Sequence, residues 1–174
     1  MDSTVPGQEP GDGAGRRRAR RASQQVKTSL RDASIQLALL NHQVSGHVDL
    51  KGSDLECLDL ISRLGPLSPS ALARRAGLHP ATLTGILDRL ERGGWISRAR
   101  DPADRRGVLL HIERARGAEL LGLYSGMNSA MDEICAGYGE ADLELIAGFL
   151  RRTADAGRAA ADELGQARTA PPPR

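Results

Sequence analysis

The sequence has very few aromatic residues: Phe, Trp and Tyr together make up 2% of its 174 residues. Any core must therefore be built from Leu, Ile, Val and Ala. An all-β sandwich and a protein that binds nucleic acid by stacking on bases both depend on aromatic surfaces. The composition disfavours both of these classes.

The sequence also lacks long apolar runs and has only two cysteines, Cys57 and Cys135. No stretch approaches the ~18 uninterrupted apolar residues of a membrane span, and the apolar segment of a secretory signal is absent. Two cysteines are too few for a disulfide framework or a zinc site, and the spacing of the histidines indicates no metal site. These absences predict a soluble, cytoplasmic protein with no metal and no cofactor.

The net charge of +2 is distributed unevenly along the chain. The local net charge is +3 over residues 1–30 and +3 over 66–113, whereas it is −2 over 31–65 and −2 over 114–174. Such a distribution is typical of a protein that presents a basic face to a polyanion.

The two ends of the chain carry no apolar periodicity. Residues 1–22 combine Pro and Gly with a dense run of arginines over 16–21, and this composition predicts a disordered basic arm. The alternative is an arm that adds non-specific contacts to phosphates. Residues 165–174, which include three consecutive prolines, are predicted to form a disordered tail.

Two segments with helical periodicity flank the middle of the chain. Over 23–48 the apolar residues are spaced alternately by four and three, in a heptad-like seam of Val26, Leu30, Ala33, Leu37, Leu40 and Val44. Within 118–164 a second long helix is predicted from residue 141. A narrow apolar seam needs a partner, so the two segments are predicted to form a dimerisation platform; an intramolecular bundle is the alternative.

Capping residues divide the middle of the chain into short helices. Ser53 is a good N-cap for the first of them, and Ser68, followed by a proline, caps the second, which ends at Gly77. His79 and the proline after it start a third helix, which ends at Gly93. Two helices joined by a tight turn at Gly77 form a helix-turn-helix.

An alternating pattern follows this helix-turn-helix. Residues 95–100 alternate with the period of a strand, residues 101–104 have the composition of a turn, and residues 106–113 alternate again. A helix-turn-helix followed by a basic two-stranded hairpin is a winged helix, which is predicted over 53–113. The predicted fold class is therefore mainly α, with a small β-hairpin wing and flanking dimerisation helices.

From Leu55 to about Gly117 the order of these signals resembles the MarR family of bacterial winged-helix transcription regulators. The resemblance is carried by LSPSALARRAGLHPATLTGILDRLERGGWISR at 67–98 and by RDPADRRGVLLHI at 100–112. With the flanking helices it extends over 23–164, about four fifths of the chain. The family usually closes the wing with Leu-Thr, whereas this chain has Ile112-Glu113, and Glu is a poor N-cap for the helix that follows.

The resemblance implies a homodimer, without enzymatic activity, that binds a palindromic operator in double-stranded DNA and represses transcription. Opposite its predicted buried stripe, the second helix of the motif presents residues that can contact base edges or phosphates. Arg106 is predicted to enter the minor groove, with Asp104 fixing its direction. The predicted DNA-binding residues are Ser68, Ala81, Thr82, Thr84, Gly85, Arg89, Arg98, Arg100, Asp104, Arg105 and Arg106.

The resemblance also implies a small aromatic or anionic effector that lowers the affinity for DNA. His42 and His47, near the end of the first helix, are the predicted ligand contacts; a solvent-facing or structural role is the alternative. Cys57 is predicted to be a small buried hydrophobe rather than a redox switch, and Trp95 is predicted to pack at the base of the wing.

Two other functions compete with this prediction. One is a winged helix used only for protein contacts, without specific DNA binding. The other is an enzyme in which the winged helix is a dimerisation module. The enzyme would need an α/β domain with a Gly-rich nucleotide loop, which the 57 residues of 118–174 do not contain.

Overall fold

The computed structural model describes residues 11–104 and 107–169. In chain order its elements are α1 (Gly11–His47), α2 (Gly52–Leu64), α3 (Pro69–Ala76), α4 (Pro80–Arg92), β1 (Ile96–Arg100), β2 (Val108–Ile112), α5 (Arg114–Leu123), α6 (Ser125–Ala136) and α7 (Glu140–Thr169). The chain divides into two compact units, residues 1–47 and residues 48–174. The predicted fold class, mainly α with a β-hairpin wing, is confirmed.

Helix α1 is longer than the periodic segment that predicts it. It begins at Gly11, whereas the sequence predicts a disordered arm up to residue 22, and it ends at His47. Residues 16–25 consist of Arg, Ala, Gln and one Ser, and the first three are strong helix formers. Intrinsic propensity thus extends the helix through a stretch whose charge is typical of a tail. Residues 1–10 lie outside the described part of the chain.

Helix α2 begins at Gly52, with Lys51 at its N-cap position and no side-chain capping bond. The prediction that Ser53 caps this helix is therefore wrong. The chain enters the helix earlier than the capping pattern indicates, and the Ser53 hydroxyl instead donates to Oδ1 of Asp54 at 3.4 Å.

The core of the second unit lies between α2, α3, α4 and the β-hairpin. Leu58 of α2, Leu72 of α3 and Leu110 of β2 are each at most 1% exposed and belong to one cluster. Helix α4 contributes the stripe that the sequence predicts, formed by Leu83, Ile86, Leu87 and Leu90. Full burial of an aliphatic side chain stabilises a fold by about 1.5–3 kcal/mol. This stripe therefore holds α4 on the unit and turns its opposite face outward.

The turn between α3 and α4 is closed by caps on both sides. The Ser68 hydroxyl accepts a hydrogen bond from the N–H of Ala71 at 3.2 Å, which confirms Ser68 as the N-cap of α3. Gly77 follows α3 with a φ of 63°, a left-handed conformation that glycine adopts without a Cβ penalty. Nδ1 of His79 accepts from the N–H of Ala81 at 3.3 Å and caps α4.

Strands β1 and β2 form an antiparallel hairpin, which we call the wing. Residues 96–100 pair in register with residues 112–108. Leu110 donates its N–H to the carbonyl of Leu67 at 2.9 Å, so the segment before α3 borders β2. The second strand begins at Val108 rather than at residue 106, because Gly107 belongs to the turn.

The helices after the wing are α5, α6 and α7. Glu113, at the N-cap position of α5, makes no side-chain capping bond, in agreement with the poor capping ability of Glu. Helix α7 covers the predicted helix over 141–164 and continues to Thr169, into the segment predicted to be a disordered tail; residues 170–174 lie outside the described chain. None of the described helices has the length and apolar character needed to cross a membrane.

Candidate nucleic-acid interface

The outward face of α4 consists of small and hydroxyl side chains. Ala81, Thr82, Thr84 and Gly85 are all exposed and lie in the first half of the helix. The Thr84 hydroxyl donates to the carbonyl of Pro80 at 3.0 Å, so its oxygen remains available as an acceptor. A helix whose exposed face carries only short side chains can enter the major groove, which is about 12 Å wide. These residues lie on the face that the sequence predicts, and their contact with DNA stays a prediction.

Gly85 has no neighbour that requires a glycine. A Cβ at this position would meet Nη1 of Arg89 at 3.8 Å, an ordinary van der Waals distance. A glycine in the middle of a helix costs about 1 kcal/mol relative to alanine, and packing within the described chain does not offset this cost. The observation favours the prediction that the missing side chain allows a partner to approach the backbone closely.

Arg89 has a partner that sequence reasoning missed. Its Nη2 donates to Oδ1 of Asp54 at 2.6 Å and its Nε donates to Oδ2 at 3.1 Å. The Asp54 side chain is 2% exposed, whereas that of Arg89 is 36% exposed. Hydrogen bonding to Asp54 raises the pKa of Arg89 above its usual value. The sequence assigns Arg89 to a phosphate or a guanine edge; in the structure it ties α4 to α2, and its contact with DNA stays a prediction.

A second ion-paired arginine connects the wing to α4. Nη2 of Arg98 lies 2.8 Å from Oδ1 of Asp88, and its Nε lies 3.3 Å from Oε2 of Glu91. All three side chains are partly exposed, so each pair is worth only about 0–1 kcal/mol. These pairs orient β1 relative to α4. Arg98 is thus engaged within the protein, and its predicted phosphate contact stays a prediction.

The wing turns tightly at Asp101. The Asp101 carboxylate accepts from the N–H of Ala103 at 2.8 Å, and its own N–H donates to the carbonyl of Gly107 at 3.0 Å. A Cβ on Gly107 would lie 3.0 Å from that of Asp101, so a larger residue there would require the turn to shift by a few tenths of an ångström. Arg100 and Asp104 are exposed next to this turn. The other two predicted wing contacts, Arg105 and Arg106, lie outside the described residues.

Trp95 is buried at the base of the wing, where it is 4% exposed. The guanidinium of Arg116 lies over the indole ring, 4.6 Å from its centroid. The Trp95 carbonyl accepts from the N–H of Glu113 at 3.0 Å. An indole that is buried and covered by a cation serves packing rather than base stacking. The prediction that Trp95 packs at the base of the wing is confirmed.

The other predicted contact residues lie on different elements. The Ser68 hydroxyl caps α3 and lies 3.1 Å from that of Ser70, so a DNA contact would share an oxygen that already accepts a hydrogen bond. His42 and His47 are exposed in the last two turns of α1. Contact of Ser68 with DNA and of the two histidines with an effector stays a prediction.

Cys57 is fully buried in the core of the second unit. Burial, together with the negative charges of Asp54 and Glu56, raises the pKa of its thiol to about 11. A thiol of this pKa is protonated at neutral pH and is therefore a poor nucleophile. The prediction of a small buried hydrophobe is confirmed for Cys57; Cys135 in α6 is half-buried.

The chain is similar in sequence and in structure to known proteins. The model of the MarR family matches residues 50–108. The uncharacterized HTH-type transcriptional regulator YcgE of Bacillus subtilis is 31% identical over 118 residues, which cover 67% of this chain and 77% of YcgE. The HTH-type transcriptional repressor YetL of the same organism is 30% identical over 84 residues, 48% of this chain and 50% of YetL. The crystal structure of transcriptional regulator Tm0710 from Thermotoga maritima has a TM-score of 0.57 at 25% identity, covering 76% of this chain and 94% of Tm0710.

The family match begins just before α2 and ends at the first residue of β2. It therefore includes the helix-turn-helix, the outward face of α4 and the turn of the wing. The match to YcgE covers more than three quarters of that regulator. This chain is a member of the MarR family of DNA-binding transcriptional regulators.

Proposed function

We propose that the protein is a homodimeric repressor, without catalytic activity, that binds a palindromic operator through α4 and the wing. The observation that carries the proposal is the way α4 is held. Its apolar stripe is buried, the Asp54–Arg89 pair ties it to α2, and its first turns face outward. A recognition helix contacts base edges mainly with its first turns. The name of YetL, a transcriptional repressor, supports repression.

The charge of the winged helix supports DNA as the partner. Residues 66–113 have a net charge of +3. Arg74 and Arg75 on α3 and Arg100 at the end of β1 are exposed. Arginines of this kind supply phosphate contacts and sequence-independent affinity, while side chains of a helix in the groove supply specificity.

Apolar side chains outside the core support a dimer. Helices α5 and α6 have no buried residues, and the exposed apolar residues of α5, α6 and α7 include Leu121, Met131, Ile134, Leu145, Ile146, Phe149, Leu150 and Leu164. The seam of helix α1 likewise exposes Val26 and Leu37. Contiguous exposed apolar patches mark interaction sites. These are the segments that the sequence predicts as dimerisation helices, so a second copy of the chain is the proposed partner.

The proposal also includes a small-molecule effector and a cellular location. A small aromatic or anionic molecule lowers the affinity for DNA, with His42 and His47 as its candidate contacts. Both side chains are exposed and so accessible to a ligand. The proposed location is the cytoplasm, where a bacterial regulator meets the chromosome.

Gel-shift titration tests the contact of α4 with DNA. The probe is the promoter region nearest the protein's own gene, at several salt concentrations. Binding is expected to weaken steeply with salt, since each neutralised phosphate contributes a slope of about −0.9 to log K against log salt. Thr84→Val, which removes a hydroxyl from the outward face, is expected to weaken specific binding about 10-fold, in line with losses of ~1–3 kcal/mol for base contacts.

Thr153→Val in α7 is the matched control. The Thr153 hydroxyl donates to the carbonyl of Phe149 at 3.0 Å, the same bond to the fourth preceding residue that Thr84 makes. Equal losses in both variants, with the dimer shown to be intact by sedimentation, would trace the effect to helix stability and contradict the role of Thr84. Negligible, salt-insensitive binding by the unmodified protein would overturn the proposal and favour a winged helix used only for protein contacts.

A further inference from the structure

Helix α1 has two surfaces on opposite sides, and the proposed dimer uses only one of them. The apolar seam runs from Val26 to Val44. On the other side lies a group that we call the arginine face: Arg17, Arg20, Arg21, Gln24, Lys27 and Arg31. With 3.6 residues per turn, the centres of the two surfaces are about 150° apart around the helix axis. A helix that packs along its seam therefore leaves the arginine face in solvent.

The arginine face is exposed and strongly cationic. All six of its side chains are exposed, and residues 16–31 contain seven Lys and Arg and no Asp or Glu. Four of the side chains, Arg17, Arg20, Arg21 and Gln24, lie side by side around one open surface recess. Like charges three and four residues apart on a helix destabilise it. A polyanion that neutralises them would stabilise the helix in turn.

We propose that the arginine face is a second DNA-binding surface, which contacts duplex phosphates beyond those contacted by α4 and the wing. The inference rests on the proposed function of the winged helix. From Arg17 to Arg31 the face is about 21 Å long at 1.5 Å per residue. Duplex DNA carries about one charge per 1.7 Å of its axis when both strands are counted, so a duplex segment of this length carries about 12 phosphates on its two strands. Because the seam is on the opposite side, α1 can pack against a second copy and bind DNA at the same time.

The side chains of this segment favour DNA over an anionic membrane, the other polyanion that a basic helix binds. Helices that lie in a membrane surface insert Trp, Phe or Leu. Between residues 11 and 25, where four of the six residues of the arginine face lie, the apolar side chains are Ala14, Ala19 and Ala22, which are too small to anchor the helix. Val26 and Leu30 belong to the seam that the proposed dimer covers. Six of the seven cations over 16–31 are arginines, whose planar guanidinium groups bind phosphates bidentately.

The test compares two triple variants of the full chain with equal changes in charge. Arg17→Gln/Arg20→Gln/Arg21→Gln removes three cations from the arginine face, and Gln keeps the helix propensity close to that of Arg. The control removes three exposed arginines that lie outside the arginine face and are not predicted DNA contacts, Arg63 of α2 and Arg151 and Arg158 of α7, by the same substitution. Circular dichroism and sedimentation are used to check that both variants keep the helicity and the oligomeric state of the unmodified protein.

Binding is measured between 50 and 200 mM salt on two duplexes, the protected operator alone and the operator with about 15 extra base pairs on each side. On the longer duplex we expect the slope of log K against log salt concentration to be shallower for the arginine-face variant by about 2.7 per protomer. Each of the three lost phosphate contacts contributes about 0.9. Across this range the affinity of the unmodified protein then falls about 40-fold more than that of the variant for each protomer that engages, or about 1,800-fold more for a dimer in which both arginine faces bind. The control variant is expected to keep the slope of the unmodified protein.

The outcomes separate this inference from the proposed function. Equal slopes for the two variants, with operator binding intact, would overturn the second surface alone. No binding of the unmodified protein to either duplex would overturn the proposed function. An unchanged DNA slope together with loss of binding to phosphatidylserine–phosphatidylcholine vesicles would identify a membrane as the polyanion and contradict the inference.

Discussion

The ion pair between Asp54 and Arg89 leads to a quantitative prediction about stability. Arg89→Ala leaves a carboxylate that is 2% exposed. Among the described side chains, the donor that remains for it is the Ser53 hydroxyl at 3.4 Å. Removing one partner of a buried ion pair costs about 3–5 kcal/mol. Because Arg89 is 36% exposed, water can enter where its side chain was, and we expect the lower end of this range, about 3 kcal/mol.

Removing both partners is expected to cost less than removing Arg89 alone. In Asp54→Ala/Arg89→Ala no charge stays buried, so the loss is that of the hydrogen bonds to a charged group, about 1.5–3 kcal/mol. The same loss applies to Asp54→Ala, since the remaining guanidinium can turn to solvent. The expected order therefore places Arg89→Ala as the least stable of the three variants, with the second substitution restoring part of the loss.

Urea unfolding at pH 7 measures this order. The protein concentration is held fixed, because the stability of a dimer depends on it. At a slope of about 2 kcal/mol per molar urea, a loss of 3 kcal/mol lowers the midpoint by about 1.5 M. Strictly additive losses in the double variant, or an unchanged midpoint for Arg89→Ala, would refute the conclusion that this pair holds α4 in place.

Two further predictions concern Gly85 and Cys57. Gly85→Ala is expected to raise the free energy of unfolding by about 0.5–1 kcal/mol and to weaken operator binding. A variant that is more stable but keeps full affinity in the gel shift would show that no partner approaches this backbone. The folded-state pKa of Cys57 is about 11 against an ordinary value of 9.0, so its stabilising contribution is complete below pH 9 and is lost as the pH rises through 11. Urea unfolding at pH 8 and pH 10.5 is expected to show a larger loss for the unmodified protein than for Cys57→Ala, and parallel losses would contradict this assignment.

The winged helix is the part of the fold that the sequence predicts best, because its signals are local. Helix α4 is bounded by the cap at His79 and by Gly93, and each signal acts within a few residues of the boundary it marks. The buried stripe of α4 follows from spacing alone. The exposed face on the other side follows from the same spacing, which is why Ala81, Thr82, Thr84 and Gly85 are found where the pattern indicates.

Features that depend on distant parts of the chain could not be predicted in this way. Asp54 and Arg89 are 35 positions apart, and an aspartate in the first turn of a helix is ordinary in itself. Only the packing of α2 against α4 brings the two side chains together. The start of α1 at Gly11 was missed for another reason: the apolar periodicity begins at Val26, and the residues before it favour a helix by propensity alone.

Hydroxyl-radical footprinting of the protein on its own promoter tests the central claim most directly, namely that two copies present α4 and the wing to one operator. A two-fold symmetric dimer is expected to protect two regions related by a dyad, with centres about 10 base pairs apart or a multiple of that distance. A single protected region, or uniform protection without a preferred site, would contradict the claim.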